Sequence, residues 1–235
     1  MSPQAPTDSV WRMYRALVGI GMMSGLLIAV VYGNTRPIIE KNRAEALERA
    51  IFAVVPEASQ RTTYVLDDAG RLRADSQASG ERVHAAFDET GRLVGVAIEA
   101  AGMGYADTIS VLYGYSPDKQ AIVGIRVLAS KETPGLGDKI ETDPDFLANF
   151  EALDARLDAT GSGLAHRIVT VKRGEKTEAW QIDGITGATI SSIAIGDILA
   201  ASSERWLPLL TGQLDTLKPS TASETAVDRS GDDER

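Results

Sequence analysis

Between Ala16 and Thr35 the chain carries no charged residue, and Ala16–Tyr32 reads ALVGIGMMSGLLIAVVY. A helix with this sequence is apolar on every side. Its length matches the roughly 20 residues that carry a helix across the hydrocarbon layer of a bilayer. Arg12 and Arg15 precede it, with Trp11 and Tyr14 beside them, and Tyr32 stands at the far end. Aromatic side chains at both ends suit the two membrane–water interfaces. Cations flank both sides, Arg12 and Arg15 against Arg36, Lys41 and Arg43, so charge leans only weakly toward a cytoplasmic N-terminus. A cleaved signal peptide needs a shorter apolar run and a small-residue cleavage site, which VVYGNT does not offer. A buried soluble helix is rarely apolar all round at this length. The expectation is a retained anchor.

Composition removes several kinds of chemistry. The 235 residues include no cysteine, so disulfides, thiolate zinc sites, iron–sulfur ligation and cysteine nucleophiles are excluded. Two histidines, His84 and His166, do not make a His-rich metal site. His84 alternates with Val83 and Ala85 and is expected to face solvent, and neither histidine has a neighbour completing an acid/base pair. A net charge of −9 argues against nucleic-acid binding, which needs a basic face.

Beyond the anchor, residues 37–55 read as an amphipathic stalk helix ending at Pro56. Runs at 62–66, 83–87, 93–99, 108–115 and 121–128 are separated by turn signals such as Asp67-Asp-Ala-Gly and Glu89-Thr-Gly, and predict antiparallel strands. Residues 141–157 look partly helical, with Phe146, Phe150 and Leu153 on one side. Segments 167–171 and 178–182 suggest a hairpin turning at Arg173-Gly-Glu-Lys. Residues 188–217 predict one long helix or two, bent near Pro208, and the polar, acidic sequence after Lys218 predicts disorder. The fold class is α+β: a transmembrane helix and stalk, then an antiparallel curved sheet flanked by helices. The expected boundaries are a cytoplasmic N-terminus over 1–15, a span over 16–35, a stalk over 36–56, a soluble domain over 57–218 and a tail over 219–235.

The chemistry is concentrated in Asp183-Gly-Ile-Thr-Gly-Ala-Thr-Ile-Ser-Ser192, between a predicted strand and a predicted helix. Hydroxyls of Thr186, Thr189, Ser191 and Ser192 cluster where free N–H groups at a helix start favour a phosphate. The same residues suit a simple hydroxyl cap. No Gly-Lys-Ser/Thr is present, so this is not a Walker loop. No basic residue lies between Lys176 and Arg205, so a local cation is not expected, and any phosphate is fixed in another way. A second segment, Ser130-Lys-Glu-Thr-Pro-Gly-Leu-Gly-Asp-Lys139, reads as a rigid loop or strand exit.

Asp183, Gly184, Thr186, Gly187, Ala188 and Thr189 resemble the flavinylation motif of the FMN-binding domain family. In that family the last Thr carries FMN through a phosphodiester bond installed from FAD by a flavin transferase. The resemblance implies Thr189 as the attachment residue, with Ser191 beside it and Asp183 within what the transferase recognises. Glu132-Thr-Pro-Gly-Leu-Gly137 resembles the family's flavin-facing loop. It implies that Glu132, Thr133, Gly135, Leu136 and Gly137 lie near the isoalloxazine ring, with Lys139 at the flavin edge, at the phosphate, or simply in solvent. Gly104-Tyr105 before a strand also resembles the family, so Tyr105 packs near the flavin or closes a strand. Trp180 is expected in the core.

The likeness spans roughly residues 80–200. One N-terminal helix followed by one such domain is similar to the G subunits of Rnf-type ion-translocating ferredoxin:NAD oxidoreductase complexes. The C subunits of sodium-translocating NADH:quinone oxidoreductases are close relatives. This implies an FMN electron carrier on the periplasmic side of the inner membrane, whose partners are the other membrane and periplasmic-side subunits and the flavin transferase. Three other readings remain at this point: the C subunit of a sodium-translocating NADH:quinone oxidoreductase, a membrane-tethered scaffold with an unused flavin site, and a flavin reductase, for which no proton donor stands out.

Overall fold

The computed structural model describes residues 7–75 and 80–219. The predicted tail, apart from its first residue, lies outside them. The chain divides into two units, residues 1–47 and residues 48–235.

Helix α1, Thr7–Val54, is continuous through the apolar run and the segment after it. Its apolar side chains Leu17, Leu26, Leu27 and Ile28 stand exposed, as a bilayer-spanning helix requires. Asn34 and Thr35 fold their polar groups back onto the carbonyls of Val30 and Val31, which lets them sit at the end of the apolar run. Pro37 lies inside the helix without ending it.

The second unit is built on a seven-stranded antiparallel sheet in the order β2-β1-β3-β4-β5-β6-β7. Its strands are β1 Gln60–Leu66, β2 Leu72–Ala74, β3 Arg82–Phe87, β4 Leu93–Met103, β5 Thr108–Ser116, β6 Ala121–Ala129 and β7 Leu153–Asp154. Both faces are covered. On one face, β4 and β5 present Val96, Ile98, Val111 and Tyr113 to a core shared with Ile195, Ile198 and Leu199 of helix α3, Thr189–Thr211. On the other, the last turn of α1 buries Ile51 and Val54, with Val55 just beyond. That turn sits over three glycines. A Cβ on Gly124 would stand 2.7 Å from the Val54 carbonyl oxygen and one on Gly95 2.8 Å from the Val55 side chain, and Gly114 has still less room against the Val54 carbonyl.

This second cover corrects the expectation for His84. It is buried, with Nδ1 3.0 Å from the Thr63 hydroxyl and Nε2 3.4 Å from Glu99 Oε1. Alternation along β3 sends it to the face opposite the α3 core, and in a one-sided sheet that face would be wet.

Two further elements depart from expectation. Within 141–157 only α2, Pro144–Ala148, is α-helical, capped by the Asp143 side chain accepting from Phe146 N. Phe146, Phe150 and Leu153 are nonetheless all buried. The predicted hairpin is instead a parallel pair of β8, Val169–Val171, and β9, Gln181–Asp183, with Val171 opposite Asp183. Each strand is too short for periodicity to reveal its direction. Pro208 stays inside α3, which runs as one helix before a short 3-10 turn at Leu214–Thr216.

Candidate functional site

The two sequence segments meet. The loop leaving β6 and the first turn of α3 form opposite walls of a cavity of about 330 Å³. Glu132, Thr133, Leu136 and Gly137 line one side, Gly187, Ala188, Thr189, Ile190 and Ser191 the other, and Tyr105 from the β4–β5 turn closes the rim. Leu136, Ile190 and Tyr105 are exposed apolar groups around its mouth. A wall of this kind suits a flat aromatic ring with few polar contacts.

Glu132 fastens the walls together. It is 5% exposed. Its Oε1 accepts from Ala106 N at 2.9 Å and its Oε2 accepts from the Ser191 hydroxyl. Burial pushes the carboxyl pKa up, but the Ser191 hydroxyl and the N–H groups of Ala106, Tyr105 and Asp107 outweigh it and hold it below the usual range. The carboxylate therefore stays charged and ties the β4–β5 turn, its own loop and α3 into one piece. Close packing explains two glycines. A Cβ on Gly137 would stand 2.6 Å from Glu132 Oε2, and one on Gly104 2.5 Å from Oε1. Gly187 is needed for its backbone instead, with φ of +86° at the entry to α3.

Thr189 is the first residue of α3, and no side chain caps that helix. Ser192 serves the turn before it, accepting from Ile185 N at 3.1 Å and donating to Ala188 O at 2.9 Å. The Thr189 side chain is exposed, and among the described residues its hydroxyl has no hydrogen-bond partner. The capping alternative therefore does not describe Thr189. The residue also lines a second cavity of about 370 Å³, with Val171, Lys172, Arg173, Glu175, Gly184, Ile185 and Thr186.

That second cavity overturns the expectation of no local cation. Because β8 and β9 run parallel, the residues following Val171 and those following Asp183 leave the sheet at the same edge. Lys172 and Arg173 arrive beside Thr186 and Thr189. In a hairpin the strand ends would lie at opposite edges. Asp183 secures this edge: its Oδ1 accepts from Gly174 N at 2.6 Å, and its backbone is bridged by buried Asn149, at 3.0 Å to the N–H and 3.2 Å to the carbonyl.

Of the residues singled out from sequence, Tyr105, Glu132, Thr133, Leu136, Gly137, Gly187, Ala188, Thr189 and Ser191 share the first cavity. Thr186 joins Thr189 in the second. Asp183, Gly135 and Lys139 line neither. Gly135 turns the loop at φ of +77°, and Lys139 sits half-buried in the 3-10 turn Gly137–Glu141. Trp180 is half-buried and stacks on His166 at 3.9 Å. Sequence reasoning missed Ile190, Lys172 and Arg173. Ile190 was available as the apolar residue after Thr189, whereas the two cations needed the strand direction.

The geometry fits FMN: an apolar slot on one side of a free hydroxyl, and a basic, hydroxyl-bearing cavity on the other. Residues 104–203 match the FMN-binding domain family. The G component of the ion-translocating oxidoreductase complex of Methanosarcina acetivorans is 30% identical over 196 residues, covering 82% of this chain and 92% of that one. The protein of the same name from Cereibacter sphaeroides is 36% identical over 130 residues, 55% of this chain and 58% of its own. Among solved structures, Shewanella oneidensis NqrC superposes with a TM-score of 0.59 at 22% identity, covering 76% of this chain and all of that one. The C component of the Na(+)-translocating NADH-quinone reductase of Parabacteroides distasonis gives 0.60 at 20% identity, over 75% and 96%. These two likenesses establish a shared fold. The chain belongs to the family of G subunits of Rnf-type ion-translocating oxidoreductase complexes, and the cofactor of its FMN-binding domain is FMN.

Proposed function

We propose that this chain is a membrane-anchored electron carrier of an Rnf-type ferredoxin:NAD oxidoreductase complex, with FMN held covalently on Thr189 and the flavin domain on the periplasmic side. Its partners are the other membrane and periplasmic-side subunits, and a flavin transferase matures it. Loading from FAD forms a bond from Thr189 Oγ to the phosphorus of the riboflavin-bearing half. The pyrophosphate bond breaks, AMP leaves, and the hydroxyl proton passes to solvent. Bound FMN supplies one-electron exchange, and the protein supplies position and environment.

The single observation behind this reading is the Thr189 hydroxyl, exposed, unpartnered among the described residues, and shared by two cavities, one walled by Leu136, Ile190 and Tyr105 and the other bearing Lys172 and Arg173. Leu136, Ile190 and Tyr105 keep water from the ring. Glu132 holds the walls at fixed separation. The anchor keeps the carrier at the membrane, while Ala16–Thr35 carries no Asp, Glu, Lys, Arg or His and so offers no ion path by itself.

Intact mass and in-gel flavin fluorescence test the reading, on the full chain co-expressed with a flavin transferase. The expected result is a gain of one FMN less water, abolished in Thr189→Ala. No added mass beside an active transferase overturns it and leaves a tethered scaffold as the better description.

A further inference from the structure

The loop beside the second cavity carries three cations, and their partners differ. Arg173 is engaged by Asp145 at 2.6 Å, with Asp143 at 3.8 Å. Lys176 donates to Asn149 Oδ1 at 2.9 Å and does not line the cavity. Lys172 lines it; its carbonyl accepts from Glu175 N at 2.9 Å, and among the described residues its ammonium has no hydrogen-bond or ion-pair partner. Glu175 is the one acid in the wall, set against Lys172 and Arg173. The loop's position is fixed from inside the motif, since Asp183 Oδ1 holds Gly174 N.

A phosphodiester keeps one negative charge at every physiological pH. A charge brought against a protein wall needs a counter-charge or strong donors. We propose that Lys172 supplies that counter-charge, and that the cavity it shares with Gly184, Ile185, Thr186 and Thr189 receives the phosphate while the ring occupies the Tyr105–Ile190 side. This assignment rests on covalent attachment at Thr189. It gives Asp183 a positioning role: the carboxylate orders the loop that carries Lys172. Lysine serves phosphate as a point charge on a flexible stem, so arginine at the same place retains the charge.

The test uses the full chain in detergent after loading by the transferase, for the parent, Lys172→Ala and Lys172→Arg. The Lys172 side chain is exposed and, among the described residues, holds no hydrogen bond or ion pair, so both variants are expected to fold. Mass spectrometry follows the loading time course, and 31P NMR reads the phosphodiester. The expected result is a displaced 31P resonance and severalfold slower loading in Lys172→Ala, with the parental resonance kept in Lys172→Arg. Slower loading with an unmoved resonance overturns the proposal, because Lys172 then serves contact with the transferase. An unmoved resonance with normal loading overturns it equally. Absence of added mass in the parent is a separate outcome that removes attachment at Thr189 and this proposal together.

Discussion

Glu132 is the most consequential carboxylate in the domain, because one side chain joins three pieces of backbone. Gln at this position keeps the shape and removes the charge, leaving an amide N–H2 where the Ser191 hydroxyl or the Ala106 N–H now donates. Charged hydrogen bonds of this kind contribute about 2 kcal/mol, and Glu132→Gln is expected to cost about that at pH 7. The pH dependence has a definite sign. The folded-state pKa of Glu132 is depressed, so its stabilisation is complete above the unfolded value near 4.3 and fades as pH falls through the folded one. Thermal unfolding of the full chain in detergent, parent against Glu132→Gln, therefore shows a gap that is widest near pH 7 and closes toward pH 3. A gap independent of pH would mean that shape, not charge, sets the contribution.

Strands β4, β5 and β6 accept the end of α1 only because Gly95, Gly114 and Gly124 leave a hollow across the sheet. Gly124→Ala brings a methyl to 2.7 Å from a backbone oxygen that cannot swing aside. Overpacking of this kind costs about 1–3 kcal/mol, and a lowered unfolding midpoint for Gly124→Ala in detergent checks it. Flavin loading should persist in the variant, since the hollow faces away from the α3 core. The same layer marks how far sequence could be read. The five longest strands were visible because strand patterning and turn signals such as Asp67-Asp-Ala-Gly and Glu89-Thr-Gly agree locally. The glycine hollow was not, because a glycine's neighbour across the sheet is set by register. His84 followed the alternation rule, but α1 covers the face that rule assigns to water. Both motif loops were legible as loops, and their resemblance to the family's loops implied a common site. The parallel direction of β8 and β9 is encoded in no three-residue pattern, and missing it also hid Lys172 and Arg173.

The chain as a whole combines one apolar helix with one flavin domain, and its use as a carrier depends on which side of the membrane the domain occupies. Charge leaves this open, since Arg12 and Arg15 before the span are answered by Arg36, Lys41 and Arg43 after it. The side also matters for the cofactor. A carrier outside the cytoplasm cannot recapture a dissociated flavin from the cell's pool, so on that side the ester proposed at Thr189 would have an advantage over reversible binding. The complete absence of cysteine makes the orientation directly measurable, because any introduced thiol is unique. Ala152 is exposed, follows α2 and belongs to the unit that holds both cavities, so Ala152→Cys reports the domain. Ser2→Cys reports the other end of the chain. A membrane-impermeant maleimide applied to cells stripped of their outer envelope is expected to label Ala152→Cys at once and Ser2→Cys only after the membrane is permeabilised. The reverse pattern would put the flavin in the cytoplasm, where it would meet a different set of donors and acceptors. Equal labelling of both before permeabilisation would contradict a membrane span between residues 2 and 152.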